Sequence, residues 1–456
     1  MAYQSTNPYT GKVEHTFADT SQAELEEKLH AAQLCFQSDW PKRSIAARAV
    51  ILKLAAALMR ERAQSFAELI TREMGKLIAQ SLGEVALSAA ILDYYADHAE
   101  QFLAPEKLAT SKGEAMVESS PIGVLFGVEP WNYPYYQIAR FAAPNLMAGN
   151  VVMVKHASNV PQCALAFEAL LAEAGAPKGA YTNLFITKDQ VSQVIDDPRI
   201  RAVALTGSEA AGAIVAAQAG KQLKKSTMEL GGSDAFIVLE DADLNKAVKH
   251  AVSGRMGNTG QACTASKRFV VVAALADQFL AQFLAAMQTF APGDPMSPQT
   301  NLGPLSSEAA LEKLLGQIDA AVKGGAKLLM GGQRMAGQTG AFMQPTVLTD
   351  IDPENPAYKE EFFGPVALFF KVADEAAAVA LANDSPFGLG GSVFTQDIER
   401  GKRVARQIDT GMVFINSAAA SSPELPFGGV KNSGYGRELS SAGIQEFVNK
   451  KLIRVS

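Results

Sequence analysis

The chain has 456 residues, 48% of them hydrophobic and 19% charged, which gives room for roughly three units of about 150 residues around ordinary soluble cores. A net charge of -6 offers no global field for nucleic acid or an anionic membrane, so neither is an expected partner, although a local basic pocket could still hold a small anion. Cys35, Cys163 and Cys263 form no even-numbered disulfide framework and no CxxC pair; this usage points to a reducing compartment and predicts a cytoplasmic protein. The start "MAYQSTNPYTGK" lacks a basic stretch followed by an apolar run, and no uninterrupted apolar segment of about 18 residues occurs, so neither secretion nor a membrane span is expected.

After the turn-rich "NPYTGK", the segment "SQAELEEKLHAAQLCF" sets Ser21 and Glu24 at capping-box spacing and places Leu25, Leu29 and Ala32 on one helical face, with Cys35 in the same helix's packing. Apolar residues at steps of three or four predict a second helical region from about Ser44 to Met74, stopped by Gly75. "EAMVESSPIGVLFGV" reads as two short strands separated by "SSP". Beyond it, short β-branched runs alternate with alanine-rich helices. "VVMVK" reads as a buried strand, "PQCALAFEALLAEAG" as a helix ending at Gly175, and "NLFIT" and "RAVALTG" as strands, the last leading into "SEAAGAIVAAQAG". Such βα units favour a parallel sheet with ligands beyond its carboxyl edge. This predicts an α/β protein with a Rossmann-like cofactor domain. After "MELGG" the strand "AFIVL" opens a second α/β region that runs to about Pro423, with function expected between the two layers. The terminal "FVNKKLIRVS" reads as another strand.

In "GNTGQACTASKR", Cys263 stands among small and amide residues and is followed by Lys267 and Arg268. By itself this leaves two readings open, a reactive thiolate or a small residue buried in a core. A thiol attacks as thiolate and needs local stabilisation of negative charge or a nearby base. Sequence proximity does not bring Lys267 and Arg268 to the sulfur, and both are expected to be structural or surface residues. A cysteine hydrolase would want a histidine near a recognisable nucleophile motif, and none is seen. The five histidines show no metal-ligand cluster, so no metal is expected, and His156 beside Lys155 reads as a structural neighbour.

Four separated motifs, "PWNYP" with Asn132, "MELGG" with Glu229, "GQACTASKR" with Cys263 and "EEFFGP" with Glu361, occur in an order that resembles the aldehyde dehydrogenase superfamily. The resemblance runs almost the full chain, from "NPYTGK" through "LTGS" to "NSAAASSPELPFGGVKNSGYGRE". It implies that Cys263 attacks an aldehyde carbon, that the Asn132 amide and the Cys263 backbone N–H hold the resulting oxyanion, and that hydride leaves to a nicotinamide cofactor. Glu229 would then activate water to release the acid from a Cys263 thioester. Glu361 would accept hydrogen bonds from the nicotinamide-side ribose, with Phe363 packing beside it. Gly207, Ser208 and Gly212 of "LTGSEAAG" would offer backbone donors to the pyrophosphate at a strand-to-helix junction.

Where NAD-preferring relatives often carry a glutamate three residues after the lysine of this strand, "KHAS" has Ser158, while Lys155 remains to pair with negative charge. A 2′-phosphate would meet attraction without like-charge repulsion, so NADP is expected, with NAD taken less well. Within the superfamily the chain most resembles succinate-semialdehyde dehydrogenases. Arg140 falls where many of them hold the distal carboxylate, and Ser421 or Ser422 where a serine assists. A second arginine used by some relatives is replaced by Gly257, Arg255 being two positions out of register, and the second cysteine of a redox switch is replaced by Ala265. Alternatives are a dehydrogenase for another short or medium aldehyde using NAD or NADP, and a non-catalytic protein of the same fold. The resemblance also implies a cofactor domain of residues 1–110 and 129–231 and a catalytic domain of residues 232–425. A small β extension of residues 111–128 and 426–456 would pair subunits into a homodimer or a dimer of dimers.

Overall fold

The computed structural model describes residues 3–455. The chain begins with an antiparallel pair of strands, Tyr3–Thr6 and Val13–Phe17, flanking the "NPYTGK" turn. Helix Gln22–Ser38 follows with its capping box formed: the Glu24 N–H donates to Ser21 Oγ and the Ser21 N–H to a Glu24 carboxylate oxygen. Leu25, Leu29, Ala32 and Cys35 are buried on its inner face, as their spacing predicts. The helical region expected over 44–74 consists of two helices, Ile45–Glu61 and Ala63–Met74, separated where Arg62 leaves helical geometry at φ -108°, ψ 26°. Both segments continue the same apolar period, so periodicity alone cannot show the break. Gly75 ends the second in left-handed conformation (φ 81°), its N–H returned to the Thr71 carbonyl. Helix Ile78–Phe102 then packs on Ile45–Glu61.

Two sheets organise the rest. The first has six strands in the order Gly434–Tyr435, Lys225–Glu229, Ile200–Thr206, Val124–Glu129, Val151–His156 and Tyr181–Asn183. All its pairings are parallel except that of Gly434–Tyr435. Seven strands make the second, in the order Lys327–Met330, Thr346–Thr349, Val366–Val372, Ser266–Val272, Asp234–Val238, Gly391–Phe394 and Phe414–Ile415. Here only the first pairing is antiparallel. Central strands of both are buried almost throughout, Asp234–Val238 and Ser266–Val272 along their whole length and Ile200–Thr206 except at Arg201, which is why they read as continuous apolar runs rather than alternations.

A third, antiparallel sheet joins Val448–Val455, Glu114–Pro121 and Glu106–Leu108. "SSP" does not separate two strands: Ser119, Ser120 and Pro121 stay in register with 448–450, and the chain turns at Ile122–Gly123, whose N–H groups donate to Asn150 Oδ1. The extension expected over 111–128 and 426–456 is therefore narrower. Val124–Glu129 is a central strand of the six-stranded sheet, while Leu439, Ile444 and Phe447 belong to the core beneath that sheet. "NLFIT" also differs, since the strand is Tyr181–Asn183 and Thr187 caps a further helix, Lys188–Asp196.

Candidate active site

The carboxyl ends of the first sheet face the second across a cavity of about 630 Å³. Among its lining residues are Asn132, Thr206, Glu229, Cys263, Glu361 and Phe363, contributed by both layers.

Asn132 lies in the short connection between strand Val124–Glu129 and helix Pro134–Ala148, where Pro134 sits at the first turn, the position a missing N–H suits. Glu84 caps that helix, accepting the N–H groups of Tyr135 at 2.9 Å and Tyr136 at 3.3 Å. Glu84 also pairs with Lys76, and both side chains are fully withdrawn from solvent. From there the Lys76 ammonium donates to the Asn132 carbonyl at 2.8 Å, and Asn258 Nδ2 donates to the same oxygen at 3.0 Å. With its backbone so tied, Asn132 is 4% exposed and gives one amide N–H to the Gln261 carbonyl at 3.1 Å. An amide carries two such donors, so one remains for a ligand.

The loop before the cysteine is bent by two consecutive left-handed residues, Asn258 (φ 51°) and Thr259 (φ 52°). For β-branched Thr259 this is a strained conformation. It is held by the Asn258 amide on Asn132 and Gln261, and by the Thr259 hydroxyl on the Gly303 carbonyl at 3.2 Å. Cys263 is partly exposed to the cavity, and burial pushes its thiol up to about 11 against the opposing pull of Arg140 and Lys267. Glu229, at the end of strand Lys225–Glu229, is 2% exposed, and neither carboxylate oxygen has a hydrogen-bond partner. Desolvation and neighbouring Glu438 hold that carboxyl well above the usual range, with Arg140 opposing them. An unpartnered buried carboxyl lining the same cavity as a thiol suits a group that must take a proton from something arriving there.

Lys267 and Arg268 are not surface residues. Both are buried at the start of strand Ser266–Val272. Arg268 ties three carbonyls, Ser233, Leu381 and Ala382, whereas Lys267 reaches the cysteine loop, donating to the Ala262 and Cys263 carbonyls at 3.0 and 2.7 Å. His156 is buried between the Pro134 and Glu129 carbonyls, and burial lowers its pKa to about 4. Arg255 is also buried, bonded to the Gly260 carbonyl at 2.6 Å.

The residues expected to hold a nicotinamide dinucleotide fit one in part. Glu361 accepts the Gly232 N–H at 3.0 Å and packs so close to Gly231 that a Cβ there would stand 2.4 Å from its carboxylate. The two glycines thus leave its carboxylate open on the cavity side. Phe363 lines the cavity edge-on to Trp131, with ring centroids 5.8 Å apart. Of the three residues assigned to pyrophosphate, Ser208 is the N-cap of helix Glu209–Lys221, its hydroxyl accepting from Ala211. Two assignments are corrected. The Gly207 N–H is used by the Glu229 carbonyl at 2.9 Å, and the Gly212 N–H by the Ser208 carbonyl at 2.9 Å inside the helix. Gly212 instead makes room for Leu230, 2.6 Å from where its Cβ would lie. The donors left are the first N–H groups of the helix, on Glu209 and Ala210, which line the cavity and have no intrahelical acceptor. Lys155 is the penultimate residue of strand Val151–His156, with its ammonium 5.6 Å from the Tyr3 ring centroid. Ser158 lines a neighbouring depression of about 570 Å³ with Gln4, Thr6 and Ser307.

Of the residues expected to hold substrate, none of Arg140, Ser421 and Ser422 lines this cavity, and Arg140 is fully buried. It ion-pairs with Glu438, donates to the Tyr136 hydroxyl and Thr206 Oγ1 at 3.2 Å each, and is covered by the Phe427 ring at 4.3 Å. The Tyr136 hydroxyl in turn bonds Ser421 Oγ at 2.9 Å, whereas Ser422 turns to Glu424. Ser421 is thus the serine joined to Arg140. Sequence reading misses Lys76, Glu84, Tyr136 and Glu438, because nothing local marks a partner that arrives from a distant helix or loop. Asn258 and Gln261 had a signal: they are the amides of the cysteine motif itself.

With this geometry in view, the chain belongs to the aldehyde dehydrogenase family, whose family model matches residues 1–453. Among characterised relatives it is 52% identical over 452 residues to a succinate-semialdehyde dehydrogenase [NADP(+)] of Deinococcus radiodurans, covering 99% of this chain and 94% of that one. It is 46% identical over the full length of both chains to a probable enzyme of the same name from Synechocystis. The crystal structure of succinic semialdehyde dehydrogenase from Streptococcus pyogenes in complex with NADP+ superimposes with a TM-score of 0.98 at 47% identity, covering 100% of both chains.

Proposed function

We propose that the protein oxidises succinate semialdehyde to succinate with NADP. The observation that carries this reading is the meeting of Cys263, Asn132 and Glu229 on one cavity, in a chain 52% identical to an enzyme named for that reaction. The Cys263 thiol gives its proton to solvent in the cavity, and the sulfur attacks the aldehyde carbon, forming a C–S bond as the carbonyl π bond opens. Negative charge moves to the former carbonyl oxygen, where the free Asn132 N–H and the Cys263 backbone N–H receive it; each such donor contributes roughly 2.7–4 kcal/mol. When bound, the dinucleotide supplies the nicotinamide ring that accepts hydride and leaves an acyl thioester on Cys263. Glu229 takes a proton from water as the water oxygen attacks that thioester, and succinate departs as the sulfur recovers its proton. Arg140, paired with Glu438 and not on the cavity lining, acts through the Tyr136 hydroxyl it holds, which bonds Ser421, the serine proposed to meet the distal carboxylate.

Ser158 supports NADP, since its hydroxyl places no anion beside Lys155. A kinetic panel of succinate semialdehyde, butanal and pentanal with both cofactors tests the reading, run on wild type and Ser158→Glu. Succinate semialdehyde with NADP is expected to give the highest kcat/KM. Ser158→Glu is expected to shift relative preference toward NAD about tenfold, equivalent to ~1.4 kcal/mol. An apolar aldehyde used best would favour the broader dehydrogenase reading, and an unchanged cofactor ratio would remove Ser158 from the 2′ position.

We also infer that the three-stranded sheet pairs subunits. Val448–Val455 lies at its edge, with Leu452 61% and Val455 63% exposed, and an edge with unpaired backbone groups and exposed apolar side chains invites a partner strand. Light scattering at micromolar concentration is expected to give a dimer or tetramer mass; a strictly monomeric mass would refute the assignment. Among the described residues no helix is long and apolar enough to cross a membrane.

A further inference from the structure

We infer that Lys267 is a positioning residue that links the carboxylate of the cofactor seat to the nucleophile. Three consecutive carbonyls precede or carry the reactive residue, and all three accept side-chain hydrogen bonds. That of Gln261 accepts from Asn132 Nδ2 and Asn258 Nδ2, each at 3.1 Å, and those of Ala262 and Cys263 accept from the Lys267 ammonium. Gly232 closes on the last of these, 2.8 Å from where its Cβ would lie. The same ammonium is 3.0 Å from Glu361 Oε1, with its side chain wholly buried. One cation thus holds the cysteine loop and neutralises the carboxylate proposed to receive the ribose.

Other groups near Lys267 do not substitute for it. Asp234 is the second carboxylate whose charge acts there, and it accepts the Gly390 N–H at 3.0 Å. Arg255 donates through Nη2 to the Gly260 carbonyl and acts on Glu361 and Asp234 through space without a hydrogen bond to either, Arg268 is committed to three carbonyls, and the Phe363 ring lies 6.0 Å off. Around the thiol itself, Arg140 and Lys267 are the cations, Glu361 and Asp234 the nearby anions, with Tyr133 and Tyr136 on the facing helix side and Glu229 across the cavity. Arg140 is already ion-paired with Glu438. Lys267 is therefore the cation whose compensation depends on what occupies Glu361.

The test needs no aldehyde, so it stands apart from the choice of substrate; it rests on Glu361 as the ribose ligand, which NADP binding to Glu361→Gln checks separately. Carboxamidomethylation of Cys263 by iodoacetamide is followed against pH in the full-length enzyme, with the site identified by peptide mass. Lys267→Met is expected to raise the apparent thiol pKa by about one unit, a roughly tenfold slower modification below it. It is also expected to weaken NADP several-fold by leaving Glu361 unpaired. Glu361→Gln should move the thiol the opposite way, and this variant carries the test if Lys267→Met does not fold. A thiol titration unchanged by either substitution overturns the linkage, even where melting temperature falls, because a purely structural lysine would lower stability without moving that pKa.

Discussion

Cys263→Ala is expected to abolish aldehyde oxidation, with activity at least about 10⁴-fold down, while NADP affinity stays within about threefold. No other thiol can replace it, since Cys35 and Cys163 are buried elsewhere in the core. Alanine retains the two backbone features this position supplies, the N–H that faces the oxyanion and the carbonyl that Lys267 holds. The loop should therefore keep its shape, and Lys155, Glu361 and the first N–H groups of helix Glu209–Lys221 remain in place. Steady-state assays with succinate semialdehyde and a fluorescence titration with NADP measure the two quantities. Residual turnover above about one thousandth of wild type would mean that the reaction does not pass through this sulfur.

Glu229→Gln is expected to separate the two halves of the reaction. A general base contributes about 10²–10⁴ in rate, so thioester hydrolysis should slow by that order. Acylation should be affected far less, giving one rapid burst of NADPH per site and then a stall. Intact-protein mass spectrometry should find the succinyl adduct on Cys263. The wild-type pH profile follows from the same carboxyl. It acts as base only when ionised, and desolvation together with Glu438 raises its pKa, so the hydrolysis rate should be lost as pH falls through that raised value. Glu229→Gln should lack this acid limb. Unchanged thioester hydrolysis in rapid-mixing experiments would remove Glu229 from the step.

How much of this was legible depends on how far apart the cooperating residues lie. The capping box at Ser21 and Glu24, the stop at Gly75 and the buried strands around "VVMVK" and "RAVALTG" are local in origin: each depends on residues a few positions apart. Cys263, Glu229 and Asn132 were found through motif order, not through any local pattern that brings them together. The break at Arg62 escaped because an apolar period continues across it. The turn at Ile122–Gly123 escaped because Ser and Pro are turn residues and draw the expected turn to "SSP", while Asn150, which fixes the actual turn, lies 28 residues away.

The assignment of Gly207 and Gly212 to phosphate shows the same boundary from the other side. Glycine at a strand-to-helix junction permits a backbone donor, but only the fold reveals that both N–H groups already have acceptors, Glu229 and Ser208. The sequence by itself determined the class of fold, the order of its motifs and the chemical types at the centre, because period, capping and residue identity are properties of the chain. Only the tertiary structure decided which charges meet. Arg140 is paired with Glu438, nearly 300 positions away, and Lys267 with Glu361. Burying a cation is costly unless an anion reaches it, and that anion can come from any part of the chain the fold brings within a few ångströms.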